Sequence, residues 1–487
     1  MENFEPREVW DHFLEITKLP RCSGNEGLVR DYVKSVAEDC GYEAEVDDVG
    51  NLLVRKPGKI KDVPPIVIQS HLDMVCEKKG EKEHDFSEDP IPVKKEDGWV
   101  TAEGTTLGAD NGIGIAISLA IMEDEKSKHG PIEFLFTVGE ETGLDGAKGI
   151  EPGYFEGRTL INLDSEEFGT FTIGCAGSGD SFLKIPIEWE DTESGEFYEI
   201  KIDGLKGGHS GLDIDKGRAN ANKVLGKLLY EGYKKKHEFN IESMKLKNIE
   251  GGSKRNTIPK ESKAVVMING QAQKLIDHMK KIFSEVEKEY SSIEEDMVLE
   301  IIPTEVNEGK VIKEKHSKKI AELLMSLPHG VLAMSQEVPD LVKTSTNLAT
   351  ISLADNEVEI TMMTRSSSEF ELLSTRDRIR AVAENFSGEV EETEAYPGWE
   401  PDTDSDILNL SKEIYEKIFE DEPKVEAMHA GLETGIIGEK FEGMDMISFG
   451  ATLEGAHTPS EKVEINSVEK LWNFVTNIIE EFAERSS

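Results

Sequence analysis

The sequence holds 487 residues, of which 37% are hydrophobic and 7% aromatic, the make-up of a folded protein long enough for more than one domain. Its 98 Asp and Glu against 55 Lys and Arg leave a formal charge of −43, a field that repels phosphate backbones and anionic lipid headgroups. Nucleic acid and membrane surfaces are therefore excluded as expected partners.

The opening stretch, MENFEPREVWDHFLEI, has neither a basic patch nor an unbroken apolar core, so no secretory signal is expected. PPIVIQSHLD (64–73) is a β-branched run that predicts a strand, and NGIGIAISLAIMEDE (111–125) has helical spacing after a polar start. PIEFLFTVGEE (131–141) and RTLINLDSE (158–166) again predict strands. This alternation implies an α/β layer, a mixed and mostly parallel sheet covered by helices. IGIAISLAIM (113–122) is too short to cross a bilayer. Cys22, Cys40, Cys76 and Cys175 show neither metal-type nor redox-type spacing, which predicts a reduced, cytoplasmic protein.

From about residue 186 the character changes. EFYEIKIDGL, helical GRANANKVLGKLLYEGYKKK, SKAVVMINGQ and helical AQKLIDHMKKIFSEVEKEY predict a βαββαβ, ferredoxin-like unit. MVLEIIPTEV, helical HSKKIAELLMSL, the paired NLATISLA and EVEITMMTRSS, and helical STRDRIRAVAENF predict a second such unit. After the turn-rich YPGWEPDTDSD (396–406) come helix (ILNLSKEIYEKIF), strand (DMISFGAT) and helix (SVEKLWNFVTNIIEEFAE). The expected organisation is a catalytic domain of residues 1–185 and 396–487, interrupted at 186–395 by an inserted α+β domain of two ferredoxin-like units.

Several strand ends outside the insertion deliver metal-type side chains: His71 and Asp73 from IVIQSHLDMV, Asp110 from TTLGADNGIG, Glu140 and Glu141 from FTVGEETG, and Asp164 from LINLDSEE. His457 follows the last strand in GATLEGAHTP. Taken singly, each has a plain reading, the histidines as hydrogen-bonded loop residues and Asp110 and Asp164 as helix N-caps. Their joint occurrence at the carboxyl ends of strands, where open α/β sheets bind ligands, argues for one site. Two imidazoles and three carboxylates suit Zn²⁺ and also accept Co²⁺ or Mn²⁺. With one carboxylate shared, each of two cations has three protein donors and a position for water, the layout of a hydrolase.

In this order, SHLD, GADNGIG, GEETG, LDSEE, GGHSG and GAHTPSE resemble the motifs of the co-catalytic di-zinc exopeptidases, the family that includes aminoacyl-histidine dipeptidase, tripeptidase and aminoacylase. The resemblance spans essentially the whole chain, and ADNGIGIA, EETGLDGAKG and LDSEEFG are typical of its dipeptidase branch. It implies a metallopeptidase with two divalent metal ions, with Asp110 bridging both, His71 and Asp164 completing one shell, and Glu141 and His457 the other. It further implies that Asp73 orients His71 and that the Asp110–Asn111 peptide is cis. Glu140 is then the acid that takes a proton from the attacking water and returns it to the leaving amine.

The same resemblance makes the insertion a lid. His209 in LKGGHSGLDIDKGRANA would hold the scissile carbonyl, Asn256 in GGSKRNTIPKE would hydrogen-bond substrate, and Arg365 in ITMMTRSSSEF would grip a terminal carboxylate. On composition alone these three read as a turn histidine, turn chemistry and a solvated arginine. For His429 and Glu433 in AMHAGLETGII, hydrogen bonding and helix capping are the preferred readings. The expected substrates are unblocked L-dipeptides, Xaa-His included. Alternatives are an amidohydrolase that deacylates N-acyl amino acids and a catalytically inactive peptide-binding homologue. Monomer and homodimer both stay open, since the long insertion could supply His209 within one chain.

Overall fold

Strands buried along their whole length need cover on both faces. Ile66–His71 and Ile132–Thr137 meet that condition at every position in the computed structural model, which describes residues 4–192, 194–304, 309–336 and 338–487. They pair in parallel, from Ile66 opposite Ile132 to His71 opposite Thr137. The crossover between them contains the helix Ala109–Glu123, which packs on Ile66–His71 and on the helix Arg7–Ile16. Of its 15 residues only Asp110 and Glu123 are not buried, so IGIAISLAIM is a core helix, apolar around its circumference. Among the described residues no helix is long and apolar enough to cross a membrane.

These elements belong to a compact unit formed by Met1–Cys175, Trp399–Ala427 and Leu432–Ser487. Its eight-stranded sheet runs Glu43–Val46, Leu52–Lys56, Ile132–Thr137, Ile66–His71, Thr159–Asn162, Asp445–Ser448, Thr170–Cys175, Lys424–Met428. The four middle strands, Ile132–Thr137 to Asp445–Ser448, are mutually parallel. Pairing turns antiparallel on both sides of them. "Mostly parallel" therefore holds only for the centre. Short links such as the one from Val46 to Leu52 make hairpins, whereas parallel neighbours need a crossover.

The second unit comprises Ala176–Gly398 and Met428–Gly431, so the chain leaves the first unit ahead of the expected boundary at 185/186. Its nine-stranded sheet is antiparallel in every described pair, in the order Val298–Pro303, Glu196–Asp203, Ser262–Gly270, Ile241–Gly251, Val342–Leu353, Glu357–Ser366, Gly177–Pro186, Glu389–Glu392, with Gly330–Met334 also on Val342–Leu353. The sequence reading gives MVLEIIPTEV to the second βαββαβ group; here Val298–Pro303 pairs with Glu196–Asp203 and closes the first. The strand that fills the vacant place is Gly177–Pro186, between Glu357–Ser366 and Glu389–Glu392. One βαββαβ group is thus nested inside the other, between its first strand and its first helix. The two share a sheet through the pairing of Gly251 with Ile351. Helices such as Ala221–Lys235 and Glu314–Ser326 bury Leu225, Leu228, Ile320 and Leu324 in the core of this unit.

The structure also differs from the reduced reading of the cysteines. Cys22 and Cys76 form a disulfide across a separation of 54 residues, beside a parallel bridge between Cys22 and Met74. Their distance in sequence hides that proximity, which arises only when the two segments align in space. Cys40 and Cys175 are free. Thiol titration in denaturant without reductant is expected to find two reactive groups, and four after reduction. Four thiols in protein prepared without reductant would show the pair is open in solution.

Candidate metal centre

The middle strands of the first unit's sheet deliver their carboxyl ends to one place. His71 ends its strand, and Glu140 and Glu141 follow Ile132–Thr137 after a turn at Gly139, whose φ is +63°. Asp164 follows Thr159–Asn162, Asp110 opens the buried helix, and His457 sits after Asp445–Ser448 in a left-handed conformation, φ +62°.

His71 Nε2 stands 3.0 Å from Asp110 Oδ1 and 3.2 Å from Asp164 Oδ1. His457 Nε2 stands 3.1 Å from Asp110 Oδ2 and 3.0 Å from Glu141 Oε2. Each oxygen of Asp110 therefore faces a different imidazole. A third combination, His71, Asp110 and Glu141, brings one donor atom from each within 4.8 Å. The donor set fits divalent cations, because atoms about 2.1 Å from a common tetrahedral ion lie roughly 3.4 Å apart. An orphaned atom points the same way: Glu141 Oε1 is buried without a hydrogen-bond partner among the described residues.

Protonation follows from these contacts. Burial disfavours charge on His71, but Asp164, Asp110 and Asp73 outweigh it and hold the imidazole well above its ordinary value. Hydrogen bonds to Asp110 and Glu141 raise His457 to about 11. Burial would raise Asp110, yet His457 and His71 hold it well below the carboxylate range. Glu140 moves the other way. Burial, with the negative charges of Asp164, Glu433 and Glu141 set against the pull of His71, raises it well above the usual glutamate value.

Asp73 organises this edge. Its Oδ1 lies 3.3 Å from His71 Nδ1, and the carboxylate accepts from Ser23 Oγ at 2.7 Å and from the amides of Glu140 and Glu141 at 3.1 and 3.2 Å. Burial works against that charge, but His71 and these donors bring Asp73 down to about 2. Asn111 donates to Leu163 O at 2.8 Å and to Asp164, and the Asp110–Asn111 peptide is cis.

Glu433 keeps the hydrogen-bonding role expected of it but not the capping one. It begins the helix Glu433–Lys440, which has no side-chain cap. Its carboxylate turns instead to the sheet, accepting from Gln69 Nε2 and Thr137 Oγ1, both at 2.6 Å, while Gln69 Oε1 accepts from Asn162 at 2.5 Å. One fully buried acid thus ties three middle strands together, and burial raises it to about 7.

His209, Asn256 and Arg365 belong to the second unit, and two of them meet there. Gly208–His209 pairs with Thr257–Ile258, and Ser210 N donates to Asn256 O at 2.9 Å; the Asn256 side chain is exposed. His209 Nδ1 accepts from the amides of Gly211 and Leu212, at 3.2 and 3.1 Å, which leaves the ring proton on Nε2 as a donor. Burial, then Arg365, lowers His209 to about 4, so the ring is neutral near pH 7. Arg365 is only 4% exposed, touches Ser210 Oγ at 3.5 Å, and meets no carboxylate at ion-pair distance among the described residues. His429 hydrogen-bonds Ser345 Oγ at 2.7 Å, in keeping with the hydrogen-bonding role expected of it, and burial followed by Arg365 lowers it to about 3.

Residues 67–481 match the sequence signature of Peptidase family M20/M25/M40. The chain is 35% identical over 487 residues to the cytosol non-specific dipeptidase of Escherichia coli K12, covering 99% of each protein. The crystal structure of aminoacylhistidine dipeptidase from Vibrio alginolyticus is similar with a TM-score of 0.90 and 35% identity, over 98% of this chain and 97% of that one. A tripeptidase from Staphylococcus aureus shares the fold at 18% identity and a TM-score of 0.56, over 99% of both chains.

Two imidazoles held protonated by carboxylates must release protons to a cation. Cation affinity is therefore expected to rise with pH between 6 and 8, by about tenfold per unit for each proton released. Calorimetry in buffers of differing ionisation enthalpy would count those protons. An affinity independent of pH, with no proton release, would exclude His71 and His457 as ligands.

Proposed function

This chain belongs to peptidase family M20/M25/M40, and from that membership we propose that it is a metal-dependent dipeptidase hydrolysing unblocked L-dipeptides, Xaa-His included. The observation that carries the proposal is Asp110, whose two oxygens each face a separate imidazole with a further carboxylate beside it. Two divalent cations, most readily Zn²⁺, fit this arrangement: His71, Asp110 and Asp164 would hold one, and Asp110, Glu141 and His457 the other. When bound, they would acidify the attacking water and stabilise the negative charge that develops on the carbonyl oxygen.

The chain's own residues supply the rest. Burial and the acids around it raise Glu140; with cations beside it offsetting those negative charges it would stand as the carboxylate, take the water's proton and return it to the leaving amine. Asp73 fixes the His71 ring through Nδ1 and the adjoining glutamates through their amides, so one buried carboxylate aligns a ligand and the proton carrier together. His209 has a neutral Nε2–H donor available, and the family resemblance implies that it would serve the scissile carbonyl. Arg365, buried without an anionic partner among the described residues, would pair with the free carboxylate of the substrate, and Asn256 would hydrogen-bond its backbone. The full-length relatives are named as dipeptidases, which supports this reading over deacylation of N-acyl amino acids and over an inactive binder. The name of the Escherichia coli relative supports a cytoplasmic setting.

Metal analysis of purified protein, with assays on a dipeptide panel and on N-acetyl amino acids before and after chelation, tests the reading. Two metal equivalents and chelator-sensitive release of amino acids from dipeptides are expected. Preference for N-acetyl substrates, or full activity without metal, would sink it. Glu140→Gln is expected to keep both equivalents while turnover falls roughly 100-fold or more. Near-normal turnover would remove Glu140 from the mechanism.

A further inference from the structure

A bridging carboxylate must be held so that each oxygen keeps its own direction, yet Asp110 itself touches only the two imidazoles among the described hydrogen-bond partners of its side chain. What fixes it lies in the backbone. The segment Leu107–Asp110 enters the buried helix, and dihedral angles at Asp110 and Asn111 depart from helical values, so the amides here are free of helical acceptors. All four point at one side chain. Glu461 Oε2 accepts from Leu107 N at 2.7 Å and Gly108 N at 3.0 Å, and Oε1 accepts from Ala109 N at 2.7 Å and Asp110 N at 3.4 Å. Glu461 is 2% exposed.

The position of that carboxylate is itself determined. Glu461 precedes the strand Lys462–Glu464, which pairs with Trp99–Ala102, and its carbonyl accepts from Thr101 Oγ1 at 2.9 Å. It also closes the turn that carries His457, through Glu461 N to Thr458 O at 3.0 Å and Thr458 N to Gly455 O at 3.1 Å. One residue thus connects the loop of Asp110 to the loop of His457. Arg21, also 2% exposed, makes the matching connection on the other side. Its Nη1 donates to Leu72 O at 3.0 Å and Asp73 O at 2.6 Å, and its Nη2 donates to Gly108 O. Gly108 has φ +72°, and a Cβ there would lie 2.6 Å from Arg21 Nη2, so this close approach requires glycine.

We propose that Glu461 is a positioning residue for catalysis: by accepting the four amides of Leu107–Asp110 it aims the two oxygens of Asp110 at separate cations, with Arg21 as its counterpart toward His71. The inference rests on the di-metal reading above. It adds that the span of the bridge is set by a buried acid outside the ligand set rather than by the ligands themselves.

Glu461→Gln tests this, because an amide keeps the shape but replaces one accepting oxygen with a donor that faces two amide N–H groups. Three measurements on the full chain separate positioning from general stability. In metal-free protein, hydrogen exchange of the peptide containing Leu107–Asp110 should quicken about tenfold or more, while the strand Ile132–Thr137 keeps its protection. Titration with Co²⁺, followed by visible absorption, should show at least one equivalent bound about 10–100-fold more weakly and with an altered spectrum. The turnover number should fall by about 10–100-fold with KM within roughly twofold. Unchanged exchange, or cobalt affinity and spectrum equal to wild type, would overturn the proposal. Should E461Q not fold, E461D carries the same readouts, since its shorter carboxylate keeps the charge but cannot span all four amides. If wild type itself failed to bind two cobalt equivalents, the di-metal reading would fail first; two equivalents bound alike by wild type and E461Q would sink the positioning role alone.

Discussion

Negative charge crowded at one edge of a buried sheet is the constraint that the first unit is built around. Asp73, Asp110, Glu140, Glu141, Asp164, Glu433 and Glu461 gather where water is scarce, and the counter-charges beside them are two imidazoles and the Arg21 guanidinium. In a low-dielectric setting such a cluster is tolerated only if each acid is neutralised, hydrogen-bonded or paired. The structure uses all three solutions. Asp73 and Glu461 accept backbone amides, Glu433 accepts two side-chain donors, Glu140 is pushed toward its neutral form, and the remaining acids share the imidazoles. That last group is the one a pair of cations would satisfy best, which separates the acids proposed as ligands from those that support them.

The support is as informative as the ligands. Glu433 ties three middle strands below the site, Asp73 joins His71 to the glutamate pair, and Glu461 and Arg21 join the Asp110 loop to its neighbours. Most of these bonds end on main-chain groups. A metal site needs donor atoms placed within a few tenths of an ångström, and backbone attachment places them more firmly than contact between flexible side chains. The second unit applies related logic with the opposite sign. Arg365, with the neutral rings of His209 and His429 near enough to feel its charge, is a buried cation that meets no carboxylate at ion-pair distance among the described residues.

Much of this was legible in the sequence, for definable reasons. His71, Glu141 and Asp164 could be picked out because each follows an apolar strand run, and strand carboxyl ends in an α/β sheet converge by geometry; Asp110 opens a helix instead and His457 lies in a loop, so their place in the expected set came from the family motifs. The helix over IGIAISLAIM and the strands around it were equally plain. Other features were not. The nesting of one βαββαβ group inside another depends on which strand fills the place beside Glu357–Ser366, and Gly177–Pro186 gives no local sign of that partner. The antiparallel margins of the first sheet and the Cys22–Cys76 disulfide are likewise matters of which distant segments meet.

By itself the sequence determined the candidates: which side chains are able to carry protons or bind cations, and roughly where along the chain each lies. Side-chain identity and local hydrophobic period are properties of neighbouring residues, so they can be read without a fold. Only the tertiary structure decided how those groups are held. Glu461 gives no such sign in GAHTPSE, because its partners are four amide groups more than 350 residues away, and every residue type but proline has an amide to offer. Backbone hydrogen bonds carry no signature in sequence, and here they set the geometry of the site.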